Sequence, residues 1–367
     1  MKKLLAIVFL ALLGCGEKKV ESAKEIDFGS VEVVSADLLI EKAIPLASDS
    51  TALLSEYLMV RYDEKDFFVV NYDRPEAIYR YSASGNYLGI IAQVGEAPGQ
   101  LIGINNFQLL GNKLKVKSGM GNSLELHTFS KDGQLMKTTP YPINAFAFYP
   151  VSEDELWFYS SYNMVAGDHR LFKANGKGEV LKKLLPNDFN EKMLPIDEQS
   201  FFEGDGAVLF REPFKTSVYK ISEQDSLQEL YRFDFGTTTV PESYWEMDAF
   251  AGFEMINEQG FSDINYVEET DKYFIALVAT QKGRDRKKEL YIWNKESGED
   301  FKIELDEELG YFNSLIGIEG DQLVFIAYAP YLVRNSETLN LSPEAKASLT
   351  SVTEESNPVI LYAKIPK

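Results

Sequence analysis

The chain has 367 residues, of which 57 are acidic and 37 are Lys or Arg, giving a formal net charge of −20. Such a charge repels nucleic acid and anionic lipid, so neither is an expected partner of its surface. The single cysteine, Cys15, excludes an intrachain disulfide and a cysteine-based metal site. Aromatic residues make up 13% of the chain, and alternating apolar runs outnumber long helical patterns, which predicts an all-β fold.

The N-terminus has the layout of a secretory signal. Lys2 and Lys3 precede an uninterrupted apolar run, Leu4 to Leu13, which is too short to span a bilayer. The run leads into Leu-Leu-Gly-Cys, which resembles the bacterial lipobox. This resemblance implies that Cys15 becomes the lipidated first residue of the mature protein.

The residue after the cysteine indicates where the anchor is placed. It is Gly16 rather than Asp, which by resemblance to lipoprotein sorting rules implies the outer membrane. Residues 16–19 are not a run of acids, so we expect a periplasm-facing protein, with exposure on the cell surface as the alternative.

One sequence unit recurs six times along the rest of the chain. Each copy opens at a polar turn and continues as a short apolar strand. The copies start at Lys65, Asn112, Asp154, Asp205, Asp271 and Asp321. Successive starts differ by 47, 42, 51, 66 and 50 residues, so most units are 42–51 residues long.

The first five copies are followed by an alternating strand, a polar or Gly-containing turn, and another strand. These turns lie near Gly85, Gly133, Gly176, Asp225 and Gly298. Apolar alternation broken by such turns predicts β-hairpins, because the turn needs positive φ. Four strands per unit at this period predict the blades of a six-bladed β-propeller. A pair of β-sandwiches, or another meander, is the alternative architecture.

The sixth unit lacks one strand, because after 321–328 only Pro358 to Ala363 remains as a strand candidate. The segment Val31 to Leu46 carries β-favouring residues that no other blade uses. We predict that it supplies the outer strand of the last blade and so removes a free sheet edge. The predicted organisation is a signal peptide over residues 1–14, a lipidated tether over 15–26 and the propeller over 27–367.

Two short patches carry a family resemblance. Gly85 to Ile91, running into Gly95-Glu96-Ala97-Pro98-Gly99-Gln100, resembles the G-x-G-P-G-E signature of six-bladed β-propeller bacterial lipoproteins. Glu355 to Ile360 resembles the D-N-P-V strand at the C-terminus of that family. The family is related in fold to NHL and TolB-like propellers, and its activity is mostly unassigned. The resemblance therefore implies an architecture and an address, and the glycine-rich patch suits a tight crossing between blades.

Connection lengths differ between the two ends of the predicted ring. With strands labelled a to d from the channel outward, the a–b and c–d turns share one end and the b–c and d–a connections the other. The c–d turns are short. The long connections all belong to the second class: Ser161–His169, Pro186–Gln199, Gly236–Gln259, Gln281–Lys288 and Ala329–Asn357. Long loops on a rigid scaffold usually carry function, so we predict that their face is the functional one.

Two of these insertions have helical signals, which predict short helices on that face. Pro241 to Trp245, followed by Met247, Phe250, Phe253 and Ile256, has apolar residues at helical spacing. Ser342 to Ala347 has the pattern of a capped helix start. Such helices either cover the channel mouth or pack on the ring.

The sequence offers little catalytic chemistry. Its two histidines, His127 and His169, exclude a His-rich metal centre, and there is no Gly-x-Ser-x-Gly elbow or phosphate-binding glycine loop. We name no catalytic residue, no protein metal ligand and no cofactor. Calcium in the channel needs only oxygen ligands and stays an open alternative.

We predict a binding or scaffold module whose long-loop face holds a protein, peptide or glycan partner. The alternative is a hydrolase or lyase that works at the channel mouth with carboxylates or calcium. Buried carboxylates with shifted pKa values at the mouth would favour the enzyme.

Aromatic and arginine side chains dominate binding surfaces, because they supply contact area and forked donors. The predicted binding residues are Arg74, Arg211, Tyr244, Trp245, Arg284, Tyr328, Tyr331 and Arg334. Trp245 and Tyr331 are the expected apolar anchors, and Arg211 and Arg334 are expected to bind carboxylate or sugar oxygens. The basic cluster from Lys282 to Lys288 is either a solvated loop tip or a docking site for an acidic partner or glycan.

We expect Cys15→Ser to release the protein from membranes without unfolding it, because the mutation removes the acylated thiol and the following residues 16–24 have no core character. Membrane fractionation with circular dichroism of the soluble fraction measures both effects. Continued co-sedimentation of the variant with membranes would contradict the lipoprotein assignment.

Overall fold

The computed structural model describes residues 22–35, 37–119, 124–162, 167–188, 199–305 and 314–366. Residues 1–14, predicted as a signal peptide, and Cys15 lie outside these residues, so both the signal peptide and the lipidation of Cys15 stay predictions. Three strands precede the first complete blade: β1 (Lys24–Asp27), β2 (Val33–Val34) and β3 (Ile40–Pro45).

The described residues then form six antiparallel blades, each made of four neighbouring strands. Blade 1 contains β4 (Leu58–Tyr62), β5 (Asp66–Asn71), β6 (Ala77–Ser82) and β7 (Tyr87–Gln93). Blade 2 contains β8 (Asn106–Leu110), β9 (Lys113–Ser118), β10 (Leu124–Ser130) and β11 (Leu135–Tyr141). Blade 3 contains β12 (Ala147–Ser152), β13 (Glu155–Tyr159), β14 (His169–Ala174) and β15 (Val180–Pro186).

The second half of the ring repeats this arrangement. Blade 4 contains β16 (Phe201–Gly204), β17 (Ala207–Arg211), β18 (Ser217–Ile221) and β19 (Leu227–Asp234). Blade 5 contains β20 (Phe261–Glu269), β21 (Tyr273–Lys282), β22 (Asp285–Asn294) and β23 (Asp300–Leu305). Blade 6 contains β24 (Ser314–Glu319), β25 (Gln322–Ala327) and β26 (Val359–Lys364), with β3 as its fourth strand.

The first strands of the six blades contact one another in a closed circle: β4, β8, β12, β16, β20 and β24. They surround a central channel, and apolar clusters fill the spaces between neighbouring blades. The a–b and c–d turns lie at one end of the ring, which we call the turn face. The b–c and d–a connections lie at the other end, the loop face. The fold is the predicted six-bladed β-propeller.

The predicted ring closure is confirmed. β3 pairs antiparallel with β26, with Pro45 opposite Val359 and Ile40 opposite Ala363. The neighbouring c–d turn of blade 1 packs directly on the end of β3. Gly85 has φ +83°, and a Cβ built there would lie 2.2 Å from the carbonyl oxygen of Pro45, so only glycine fits this turn.

The N-terminal chain also extends two other blades, which the sequence analysis did not predict. β1 pairs parallel with β19, and β2 pairs parallel with β23. Ile26 and Phe28 are buried in the cluster between blades 4 and 5, because apolar side chains on this segment meet that core. Ordered pairing therefore begins at Lys24, inside the segment predicted as a tether.

Short helices lie on the loop face, as predicted. Two 3-10 helices, Gly236–Thr238 and Glu242–Glu246, precede α1 (Ala249–Gln259). The b–c connection of blade 6 contains α2 (Ala329–Arg334), which was not predicted, and α3 (Pro343–Leu349), which was. The Ser342 hydroxyl accepts a hydrogen bond from the Ala345 N–H and caps α3. Among the described residues, no helix has the length and apolar character needed to cross a membrane.

Asn357, in the C-terminal patch that resembles the family, joins the N-terminal and C-terminal parts of the described chain. Its Nδ2 donates to the carbonyl oxygens of Ala47 at 3.1 Å and Ala52 at 2.9 Å, and its Oδ1 accepts from the Leu54 N–H at 3.1 Å. The side chain is buried. One amide therefore holds the connection between β3 and β4 against the start of β26.

We expect Asn357→Ala to destabilise the protein by about 2–3 kcal/mol, because it leaves several buried backbone groups without partners. Asn357→Asp should destabilise the protein at least as much, because it keeps the acceptor for the Leu54 N–H but sets a buried carboxylate oxygen against the carbonyl oxygens of Ala47 and Ala52. Chemical denaturation measures both, with the exposed turn variant Asn86→Ala as the matched control. Equal stability of Asn357→Ala and Asn86→Ala would rule out this role.

Candidate functional site

The central channel contains a cavity of 580 Å³ that opens at the turn face. Its walls come from the inner strands, and its rim comes from the a–b turns of blades 1, 4 and 5 and the end of β24. A smaller space of 170 Å³ continues inward past Leu58 and Leu315, at the loop-face ends of β4 and β24. The larger cavity thus opens on the face opposite to the long loops.

Three carboxyl groups from consecutive blades line the mouth of this cavity. Glu203 and Glu268 are the second-to-last residues of β16 and β20, and Glu319 is the last residue of β24, so all three lie close to an a–b turn. None of them forms an ion pair with a described Lys or Arg. Glu203 and Glu319 are exposed at the rim, whereas Glu268 is half-buried. The mouth is therefore acidic.

Glu268 has the most unusual environment of the three. Burial raises its pKa to about 8, and the carboxylates of Glu203 and Glu319 add to this effect. A hydrogen bond of 2.5 Å from the Tyr266 hydroxyl and one from the Ile318 backbone only partly oppose the rise. At neutral pH Glu268 is therefore mostly protonated and is itself a hydrogen-bond donor.

Tyrosine hydroxyls surround the same space. Tyr62 and Tyr149 line the cavity, and burial followed by nearby carboxylates raises the pKa of both phenols, that of Tyr149 to about 12. Gly317 leaves room for Tyr62, since a Cβ there would lie 2.1 Å from the Tyr62 hydroxyl. The phenols stay protonated at physiological pH and offer neutral donors and acceptors to a ligand.

Arg61 lies deeper, where it lines both the larger and the smaller space. Its Nε donates to Gln108 Oε1 at 3.1 Å, and its Nη1 donates to the Val60 carbonyl at 2.9 Å. No carboxylate of the described residues lies within ion-pairing distance of its guanidinium. Burial lowers its pKa, with the phenols of Tyr266 and Tyr149 opposing that change. Arg61 is a fixed cation inside an acidic-mouthed channel.

The channel shows no metal centre in the described part of the chain. No group of three or more His, Cys, Asp or Glu side chains there is arranged to hold a metal ion. The calcium alternative has no candidate ligand set among these residues.

Five of the predicted binding residues lie at the surface of the loop face. Arg74 and Arg284 are exposed at b–c connections of blades 1 and 5. Tyr328 and Tyr331 are half-buried at the start of α2, with ring centroids 5.9 Å apart. Arg334 is exposed and forms an ion pair of 3.4 Å with Glu354.

The other three predicted binding residues are buried. Tyr244 and Trp245 pack against Tyr162 and Phe261 in an apolar cluster beneath α1. The Arg211 guanidinium lies 3.7 Å from Asp263 and connects blade 4 to blade 5. These positions have packing contacts in the structure, so only the five surface residues are placed to meet a partner directly.

The basic segment from Lys282 to Lys288 differs from its prediction. It is not a long loop, because β21 and β22 continue to a tight turn at Gly283 and Arg284. Lys287 pairs with Glu289 and Glu304 at 3.2 and 2.8 Å, which neutralises part of the cluster. β21 and β22 continue to pair beyond the point where the apolar pattern of the sequence ends, so the connection between them is shorter than predicted.

Sequence reasoning missed the channel residues and an exposed aromatic group on the loop face. Tyr57 and Tyr72 are 63% and 54% exposed, and their backbones are joined by a hydrogen bond of 2.8 Å. For the channel a signal does exist. An acidic residue lies one or two positions before the a–b turn in three consecutive units, at Glu203, Glu268 and Glu319.

Fold and channel together define a six-bladed propeller with a polar ligand-sized cavity. The chain belongs to a family described as a domain of unknown function (DUF4934), whose model matches residues 41–364. No curated protein matches the chain.

Solved structures show the same fold. A Bacteroides fragilis protein described as exported is 16% identical, with a TM-score of 0.75 over 94% of this chain and 100% of that one. A Bacteroides vulgatus member of the DUF4221 family is 10% identical, with a TM-score of 0.57 over 90% of this chain and 98% of that one. At these identities the likeness establishes the architecture alone.

The pKa of Glu268 predicts a specific pH dependence. Between about pH 5 and pH 8 the folded protein keeps a proton that unfolded Glu268, with its ordinary pKa of 4.5, has lost. Folding stability therefore falls with rising pH in this window. We expect the Tm of the wild type to fall relative to that of Glu268→Gln between about pH 5 and pH 8. Below about pH 5 the two curves of Tm against pH should run parallel. Glu64→Gln, at the same mouth, is the control and should give a curve parallel to that of the wild type. Parallel curves for the wild type and Glu268→Gln at every pH would refute the raised pKa of Glu268.

Proposed function

We propose that this protein is a lipid-anchored, periplasm-facing binding module whose ligand occupies the central channel from the turn face. The observation that carries the proposal is the 580 Å³ cavity, in which Arg61 and Glu268 both face the same space. Binding sites combine a preformed concave shape with a few placed polar groups, and this cavity has both. The lipid anchor and the outer-membrane location rest on Cys15 and Gly16 alone.

The loop face is retained as a surface for a protein, peptide or glycan partner. This surface is supported by a group of three tyrosines, Tyr57, Tyr72 and Tyr331. The Tyr331 phenol lies near Glu56 and Tyr57, both of which raise its pKa, so Tyr331 belongs to the same patch as Tyr57. Exposed tyrosines give contact area at low entropic cost. Arg74 and Arg334 stand on the same face and would supply charged donors.

A second candidate function is acid catalysis at the channel mouth, as in the hydrolase or lyase alternative. The observation that favours it is Glu268, whose pKa of about 8 suits a general acid at neutral pH. Glu203 and Glu319 flank it at the rim. Under this function Glu268→Gln would abolish turnover of the channel ligand while leaving its binding intact.

A thermal-shift panel of amino acids, short peptides, sugars and uronic acids, followed by calorimetry of each hit, tests the channel proposal. We expect Gly317→Ala to weaken binding of a hit about tenfold or more, because the added methyl displaces Tyr62 into the cavity. Gly103→Ala is the matched control, since a Cβ there meets no atom within 4 Å.

Two further variants separate the channel from the loop face. Tyr331→Ala and Arg334→Ala should leave the affinity for a channel ligand unchanged. The absence of any hit in the panel, or a loss of binding in these variants but not in Gly317→Ala, would overturn the channel as the ligand site.

A further inference from the structure

The charges in the channel are separated along its axis. Arg61 lines both the larger cavity and the smaller space further inward, whereas Glu203 and Glu319 line the larger cavity and not the smaller space. The deep end is therefore positive and the mouth is negative. Among the described residues, neither the guanidinium nor the rim carboxylates have an ion-pair partner, and Lys42 is near enough to Glu319 only to oppose the rise in its pKa.

This separation is held by the fold. Gln108 and the Val60 carbonyl fix the Arg61 guanidinium, and Arg61 sits on a different blade from each of the acids. Opposite charges that share a cavity would gain energy by pairing, yet here the inner strands keep them apart. A ligand with complementary charges at its two ends would satisfy both.

The size of the cavity limits the size of that ligand. Its volume of 580 Å³ lies within the range of about 300–1,000 Å³ that is typical of small-molecule sites. An extended peptide spans about 3.5 Å per residue, so a peptide of two or three residues, about 7–10 Å long, suits a space of this size.

We propose that the channel ligand is a short peptide of two or three residues with free termini, its carboxylate on Arg61 and its ammonium at Glu203 and Glu319. This inference rests on the proposed function of the channel. The guanidinium offers forked donors to the carboxylate, and the rim carboxylates accept from the ammonium. Protonated Glu268 and the hydroxyls of Tyr62 and Tyr149 are placed between them to bind the peptide groups.

The test is calorimetry at pH 7 with four probes: trialanine, N-acetyl-trialanine, trialanine amide and maltose. Trialanine should bind, and loss of either terminal charge should weaken binding about tenfold or more, because the Arg61 guanidinium or the two rim carboxylates then lose an oppositely charged partner. Maltose, which has no charge, should not bind. These comparisons alter the ligand alone, so they do not depend on a variant folding.

Protein variants then locate each end of the peptide. Arg61→Gln should weaken trialanine about tenfold or more and leave the affinity for trialanine amide unchanged, with Arg61→Lys intermediate because it keeps the charge but loses the fork. The double variant Glu203→Gln/Glu319→Gln should weaken trialanine and leave N-acetyl-trialanine unchanged. Circular dichroism confirms that each variant is folded.

The possible failures are distinguishable. Binding of maltose without trialanine, or equal binding of trialanine and its amide, would overturn the peptide assignment and leave the channel as a ligand site. Absence of binding by all four probes would overturn the peptide assignment. Absence of any hit in the wider panel as well would overturn the proposed function itself.

Discussion

The whole structure depends on the pairing of β3 with β26, because a propeller has a channel only if its first and last blades are joined. The two strands come from opposite ends of the chain, so no covalent link replaces their hydrogen bonds. The candidate site spans this seam directly. Arg61 belongs to blade 1 and Glu319 to blade 6, so their relative position is fixed only when the ring is closed. Gly85 and Asn357 secure the same seam, which gives both family-like patches a structural reason.

Much of the fold could be predicted because propeller blades are local. Each blade is a meander of neighbouring strands, so apolar alternation and glycine turns within one unit determine its pairing. The closure was also predictable, since the sixth unit lacked a strand and 31–46 was unused. The strands β1 and β2 could not be predicted in this way. They are short, and they pair in parallel with outer strands that are distant in sequence, so no local sequence pattern indicates the pairing.

The site was harder to predict for a physical reason. Loop length directed attention to the loop face, whereas the cavity is built from single side chains on inner strands about one unit apart in sequence. Trp245 shows the same difficulty. Its sequence context fits an exposed anchor and a packed aromatic equally well, and it is buried because it lies in a cluster with Tyr162 and Phe261, which are distant in sequence. The acids before the a–b turns were visible in the sequence, but their convergence required the ring.

The direction of β1 has a consequence for how the molecule is oriented. β1 runs parallel to β19, from the turn face towards the loop face, so the chain approaches blade 4 from the turn-face side. If Cys15 is acylated as proposed, the nine residues from it to Lys24 reach at most about 30 Å. The acidic mouth would then face the bilayer across a narrow gap, and the loop face would point away from it. Small solutes could diffuse into that gap, whereas a folded macromolecule would meet only the outward surface.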